Sequence, residues 1–221
     1  MGTLYLVRHG QASFGSDDYD RLSELGGRQC ERLGAYFRQR SVRFDGVITG
    51  TLRRHTESLA AITRGLQAEH EMLAMPGLNE YDAEMIVRAL YPQPLKRPSN
   101  PEEVRQHFRL LREGLGAWIE GRTQPERMPS FERFAAGIVE ALDHVRTRHG
   151  GDVLIVSSGG PISTAVAHVL GAPARAMIEL NLRMRNSAVT EFAFTPKRHA
   201  LITFNTLPHL EGADPSWITH T

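Results

Sequence analysis

Short apolar runs, each broken by a small-residue turn and followed by a helical pattern, constrain this chain most. Residues 4–7, 44–48 and 152–157 read as buried strands. The first runs into Arg8-His9-Gly10-Gln11 and then a helix over 23–40, with Leu25, Leu33, Tyr36 and Phe37 near helical spacing and Ser23 at the capping position. The second passes through Thr49-Gly50-Thr51 to a helix over 52–66, for which Thr51 is the expected cap. The third passes through Ser158-Gly159-Gly160 to a helix over 161–170 opened by Pro161. Residues 71–74 suggest a further strand, 131–148 an amphipathic helix, and 188–194 with 201–204 a closing hairpin turned at Pro196-Lys197.

Strands alternating with helices predict an α/β fold, a three-layer α/β/α sandwich with a mostly parallel sheet. The stretch 79–130 departs from this rhythm: it holds Pro92, Pro94, Pro98, Pro101, Pro125 and Pro129 around helical patches at 83–91 and 102–120. It reads as an inserted helical cap at about 81–130 within a single domain spanning 1–221. Sheets of this kind bind ligands at the carboxyl ends of their strands.

The net charge of +1 gives no global basic field, so no nucleic-acid partner is expected. No apolar run approaches the roughly 18 residues of a membrane span. The N-terminus enters a strand without the charged start and long apolar stretch of a signal peptide. Cys30 is the one cysteine, which excludes an internal disulfide and suggests a reducing, cytoplasmic setting. Cys30 is read as a buried small side chain. It has no partner at metal-ligand spacing and no histidine cluster suggests a metal, so neither metal nor cofactor is expected. Oligomeric state is open.

The three junctions together supply a histidine, arginines, small residues and backbone N–H groups, a set suited to a phosphate dianion. Imidazole is a good nucleophile toward phosphorus when one nitrogen is neutral and the other is held. Arg8 beside His9 can fork onto phosphoryl oxygens, and Arg54, in the first turn of its helix, is a second clamp. Gly159-Gly160 lets backbone approach a ligand at a helix N-terminus. Arg53 and His55 are read as solvated rim, and His168 as too far along its helix to serve.

These residues resemble the histidine phosphatase superfamily, also called phosphoglycerate mutase-like. Leu6-Val7-Arg8-His9-Gly10 looks like its opening signature. Leu22-Ser23-Glu24-Leu25-Gly26 with Gln29, Leu52-Arg53-Arg54 with Ser58, Leu78-Asn79-Glu80, Val153 to Gly160, and Asn186-Ser187-Ala188 resemble later segments in the same order. The resemblance implies that His9 becomes phosphohistidine, that Arg8 and Arg54 bind the phosphoryl group, and that Glu80 protonates the leaving oxygen and then activates water. Asp82 and Glu84 are rival acids. Gln11, Ser158 and Gly159 complete the candidate substrate-binding set, and the implied partner is a small phosphorylated substrate.

The chain departs from the family pattern in three respects. Ser158 stands where the family has a second histidine, which removes a charged donor; the readings open are reduced turnover, a substitute cation such as Arg53 or His55, and binding without turnover. Ala12 and Gly15 stand where mutases carry a hydroxyl residue and an asparagine. Pro129-Ser130 replaces a Glu-Ser pair. The expected activity is therefore phosphomonoester hydrolysis through His9, with phospho-ligand binding without turnover as the alternative and phosphoglycerate mutase behind both. Trp118 and Phe108 are read as packing or as a wall of an apolar substrate pocket. The tail 209–221 is left either folded over the site, meeting a partner, or frayed.

Overall fold

The computed structural model describes residues 1–13, 20–93 and 100–220. Phe14 and Gly15, with Pro94, Pro98 and Thr221, lie outside the described residues.

A six-stranded sheet has the order β3-β2-β4-β1-β5-β6. Its strands are β1 Gly2–Arg8, β2 Phe44–Thr49, β3 Met72–Ala74, β4 Asp152–Ser157, β5 Val189–Thr195 and β6 Arg198–Thr206. β1, β2, β3 and β4 run parallel, and β5 and β6 join as the expected antiparallel hairpin. The helices among the described residues are α1 Glu24–Gln39, α2 Arg53–Leu66, α3 Ala83–Leu90, α4 Pro101–Ile119, α5 Phe131–Arg148, α6 Gly159–Val169 and α7 Ala176–Asn181.

Alternation along the strands shows why both faces are covered. Leu4, Leu6, Ile48, Val153, Ile155, Phe192 and Phe194 point into one core, with α3 to α7. Val7, Val47, Leu154, Val156 and Val189 point into the other, against Leu33 and Phe37 of α1 and Leu59, Ile62 and Leu66 of α2. Successive strand residues face opposite sides, so near-continuous apolar runs are what a doubly covered sheet requires. The result is the three-layer α/β/α arrangement.

The 79–130 segment does not stand apart from the body. Tyr81, Ile86, Val87, Leu111, Leu115 and Trp118 belong to the same core as the strands. Trp118 is buried in a ring cluster with Tyr81, Phe131 and Phe134, and its indole N–H donates to the Pro129 carbonyl at 3.1 Å. Phe108 is exposed on α4.

Ser23 caps α1, its side chain accepting from the Gly26 N–H. Two helix starts differ from expectation. Leu52, not Thr51, is the N-cap of α2, and it offers no side-chain bond. Thr51 is instead engaged with Asn79, its N–H donating to Oδ1 at 2.7 Å and its hydroxyl accepting from Nδ2 at 2.6 Å. α6 begins at Gly159, so Pro161 is its third residue and Ser158 its N-cap. The short helix α7 had no sequence expectation.

Candidate active site

Strand register places the site. Arg8 pairs with Ser157 and Thr49 with Val156 at the ends of three adjacent parallel strands. His9, Gly50 and Ser158 therefore leave the sheet at one edge, at its carboxyl ends. The backbone of His9 is held from both sides: its N–H donates to the Ser157 carbonyl at 2.9 Å, and its carbonyl accepts from the Ser187 N–H at 3.0 Å.

The ring of His9 is buried, and its Nδ1 lies 2.7 Å from the Gly10 carbonyl. A carbonyl only accepts, so Nδ1 carries the proton and Nε2 keeps the lone pair. Burial, reinforced by the guanidinium groups of Arg8 and Arg54, holds the ring's pKa well below that of a free histidine. The ring is thus neutral, oriented and nucleophilic at Nε2 at neutral pH.

Arg8 is fixed by donating Nη1–H to the Met184 carbonyl and, at 3.2 Å, to the His220 carbonyl. Arg54 is buried on α2 and donates to Asp20 Oδ1 at 2.7 Å. Asp20 Oδ2 also accepts the Arg53 N–H at 2.8 Å, supplying from outside the helix the cap that Leu52 lacks. Arg53 itself is exposed and paired with Glu57, as expected of a rim residue.

Glu80 follows the 3₁₀ turn Pro76–Leu78. Ser157 anchors that turn, its hydroxyl donating to the Leu78 carbonyl at 2.7 Å. The carboxylate of Glu80 accepts the Gly160 N–H at 3.0 Å and the Tyr81 N–H at 3.2 Å. A Cβ at position 160 would lie 2.1 Å from Glu80 Oε1, so only glycine admits this approach. Burial raises the pKa of Glu80, and this outweighs the opposing pull of those N–H bonds and of Arg54 and Arg8. Its rivals are spent elsewhere: Asp82 caps α3 and Glu84 pairs with exposed Arg88.

Gln11 and Gly159 stand at the margins of the same cluster. The side-chain oxygen of Gln11 accepts from the Ser23 hydroxyl at 2.8 Å. A Cβ at position 159 would fall 3.9 Å from Arg8 Nε and 2.2 Å from Asn181 Oδ1.

His55 requires a correction. It is not rim but fully buried, with Nε2 2.6 Å from Ser158 Oγ and its ring centroid 5.9 Å from that of His9. The missed signal was periodicity: His55, Ser58, Leu59, Ile62 and Leu66 form the buried stripe of α2. The tail was likewise undecided from sequence. It folds back on the site, with Gln29 Nε2 donating to the Trp217 carbonyl at 2.8 Å and the Asn186 N–H to the Thr219 carbonyl at 2.9 Å.

A sequence model described as the histidine phosphatase superfamily (branch 1) matches residues 4–207. The chain belongs to the histidine phosphatase superfamily. A protein named "Putative phosphoserine phosphatase 2" from Hydrogenobacter thermophilus is 25% identical over 225 residues, spanning 95% of this chain and 98% of that one. The fold is shared with two solved structures at 17% identity. One is an Entamoeba histolytica phosphoserine phosphatase mutant in complex with phosphoserine, with a TM-score of 0.66 over 95% of this chain and all of that one. The other is the phosphoglycerate mutase of Bacillus anthracis, with a TM-score of 0.68 over 95% of each. Among the described residues, no group of three or more side chains could hold a metal ion, and no helix is long and apolar enough to cross a membrane.

Proposed function

We propose that this chain hydrolyses small phosphate monoesters through a covalent phosphohistidine on His9. The observation that carries the reading is the pairing of a buried neutral imidazole, proton on Nδ1, with a carboxyl of raised pKa in one cluster with two guanidinium groups. Nucleophile and acid have environments that push their pKa values in opposite directions, the pattern expected of an acid–base couple.

The chemistry runs in two displacements. The Nε2 lone pair of His9 bonds to phosphorus as the ester P–O bond breaks, and the leaving oxygen takes the proton of the Glu80 carboxyl. The Glu80 carboxylate then accepts a proton from water, whose oxygen bonds to phosphorus as the P–N bond breaks. Neutral His9 and inorganic phosphate result. Arg8 and Arg54 neutralise the phosphoryl oxygens throughout, and such positioning supplies most of the acceleration in phosphoryl transfer. Gln11 and the Gly159 N–H at the α6 N-terminus complete the binding set.

Helices α3 and α4 border the Glu80 loop and set the choice of alcohol. Solved neighbours carrying phosphoserine or 3-phosphoglyceric acid support a small phosphorylated substrate. The second reading, phospho-ligand binding without turnover, rests on Ser158, which brings no charge of its own.

The test is hydrolysis of p-nitrophenyl phosphate by the wild type beside His9→Ala. A loss of more than about 10⁴-fold is expected for removal of a nucleophile. Equal rates, with vanadate still bound, would favour the second reading.

A further inference from the structure

His55 and Ser158 form a buried pair that neither the nucleophile nor the acid explains. Both residues are fully buried at the strand ends, and they touch at 2.6 Å. The ring needs space that this chain makes for it: a Cβ at position 50 would lie 2.2 Å from His55 Nδ1, so glycine at the end of β2 is what lets the imidazole sit there.

Two details set the direction of the hydrogen bond. Among the described residues His55 Nδ1 is buried and has no partner. A proton there would be an unsatisfied buried N–H, which is rarer than an under-used acceptor lone pair. Among the described residues no carboxylate or carbonyl holds a proton on Nδ1, as a histidine acting as base toward a serine would need. The proton therefore belongs on Nε2, and His55 donates to the serine oxygen. Ser158 caps α6 by position but makes no side-chain cap bond. Its hydroxyl proton is thus still to be given, in a cluster whose charged and titratable members among the described residues are Arg54, Arg8, His9 and Glu80.

We propose that His55 and Ser158 act as one donor, Nε2–H of His55 to Ser158 Oγ and the Ser158 hydroxyl on to a phosphoryl oxygen. No proton is transferred: both links remain hydrogen bonds, and the first polarises the second. Ser158 is the residue that touches the anion, and His55 is a positioning residue acting through it. Burial and the adjacent Arg54 hold the imidazole pKa at about 3, so the pair is neutral in the absence of an anion. The donor strengthens as charge builds on the phosphoryl oxygens, so its effect is greater on the transition state than on bound phosphate.

The proposal rests on the phosphoryl site described above, and its test separates the two. Inhibition or binding by orthovanadate, a mimic of the five-coordinate transition state, and by inorganic phosphate is measured on the full chain. The variants are His55→Ala, His55→Gln, Ser158→Ala and the double Ala variant. Loss of either partner is expected to weaken vanadate by about 10²-fold and phosphate by several-fold less. The double variant should be no worse than the poorer single one, and His55→Gln, whose amide can still donate, should recover part of the loss. Unchanged vanadate affinity in Ser158→Ala, or single losses that multiply in the double variant, would overturn the proposal. Should His55→Ala fail to fold, Ser158→Ala and His55→Gln carry the same decision. A protein that binds vanadate in this pattern but hydrolyses no aryl phosphate would sink the proposed activity and leave the pair standing.

Discussion

Two helices start at the edge of this site, and each has its N-terminus occupied by a carboxylate from elsewhere in the chain. At α2 the carboxylate is Asp20, and at α6 it is Glu80. Asp20 is well accessible, its side chain 36% exposed, and it is ion-paired with Arg54 at 2.7 Å. Glu80 is enclosed by Gly160 and Tyr81, and its pKa is raised because burial disfavours its charged form more than N–H donors and distant arginines favour it. The same contact, a carboxylate on a helix N-terminus, thus yields an ion-paired group in one place and a carboxyl of raised pKa in the other. What separates them is solvent and the distance to a guanidinium.

The largest expected effect tests that division at Glu80. Glu80→Gln should lower turnover by about 10²- to 10⁴-fold, the usual weight of general acid–base catalysis. It should also abolish the alkaline decline expected of wild-type phosphorylation as Glu80 loses its proton. Asp20→Asn should change KM by less than about 5-fold and leave kcat alone, since Asp20 is the solvent-accessible partner and such a screened pair is worth about 1 kcal/mol. Losses of similar size at the two positions would erase the distinction.

Stability should separate them too. A raised carboxyl pKa means the folded state binds the proton more tightly than the unfolded one. That contribution is present at low pH and lost as pH rises through the folded pKa, so burying Glu80 costs the fold stability above the ordinary carboxylate range. Glu80→Gln should therefore raise Tm at pH 7, with each kcal/mol worth about 2–4 °C, and the gain should vanish below about pH 4. A Tm unchanged at pH 7 would show that Glu80 is not desolvated.

The smallest effect concerns the histidine side of the cluster. His55 has a folded pKa near 3 against an ordinary 6.5, so it costs stability as pH falls from 6.5 toward 3, where the unfolded chain takes up a proton first. His55→Gln should flatten acid denaturation in that window, and an unchanged slope would place water against the ring.

Much of this was legible before any coordinates. The apolar runs of β1, β2 and β4 are what a sheet covered on both faces demands, and α5 follows its amphipathic pattern over the full expected range. His9, Arg8, Arg54 and Glu80 stand out as candidates in the sequence because each lies beside a strand end or in a recognisable segment. His55 is named in the sequence only as a substitute cation and otherwise reads as rim, because its burial depends on glycine at 50 to admit the ring and on distant serine at 158 to meet it. The start of α6 was misplaced because Pro161 fits several first-turn positions, and the external cap on α2 comes from Asp20, which no local pattern links to Arg53. The tail's return depends on Gln29 and Asn186, and on Trp217 lying under Arg28 and Arg32 at 5.3 and 5.5 Å. Those contacts are set by the finished fold.

The most direct measurement is to trap the phosphorylated protein by rapid quench with a labelled aryl phosphate and to test the bond in acid and in alkali. Phosphate on the nitrogen of residue 9 should be lost in acid, survive alkali and be absent from His9→Ala. A label that survives acid and maps to Ser158 would contradict the account, since the buried hydroxyl would then be the nucleophile and not the donor.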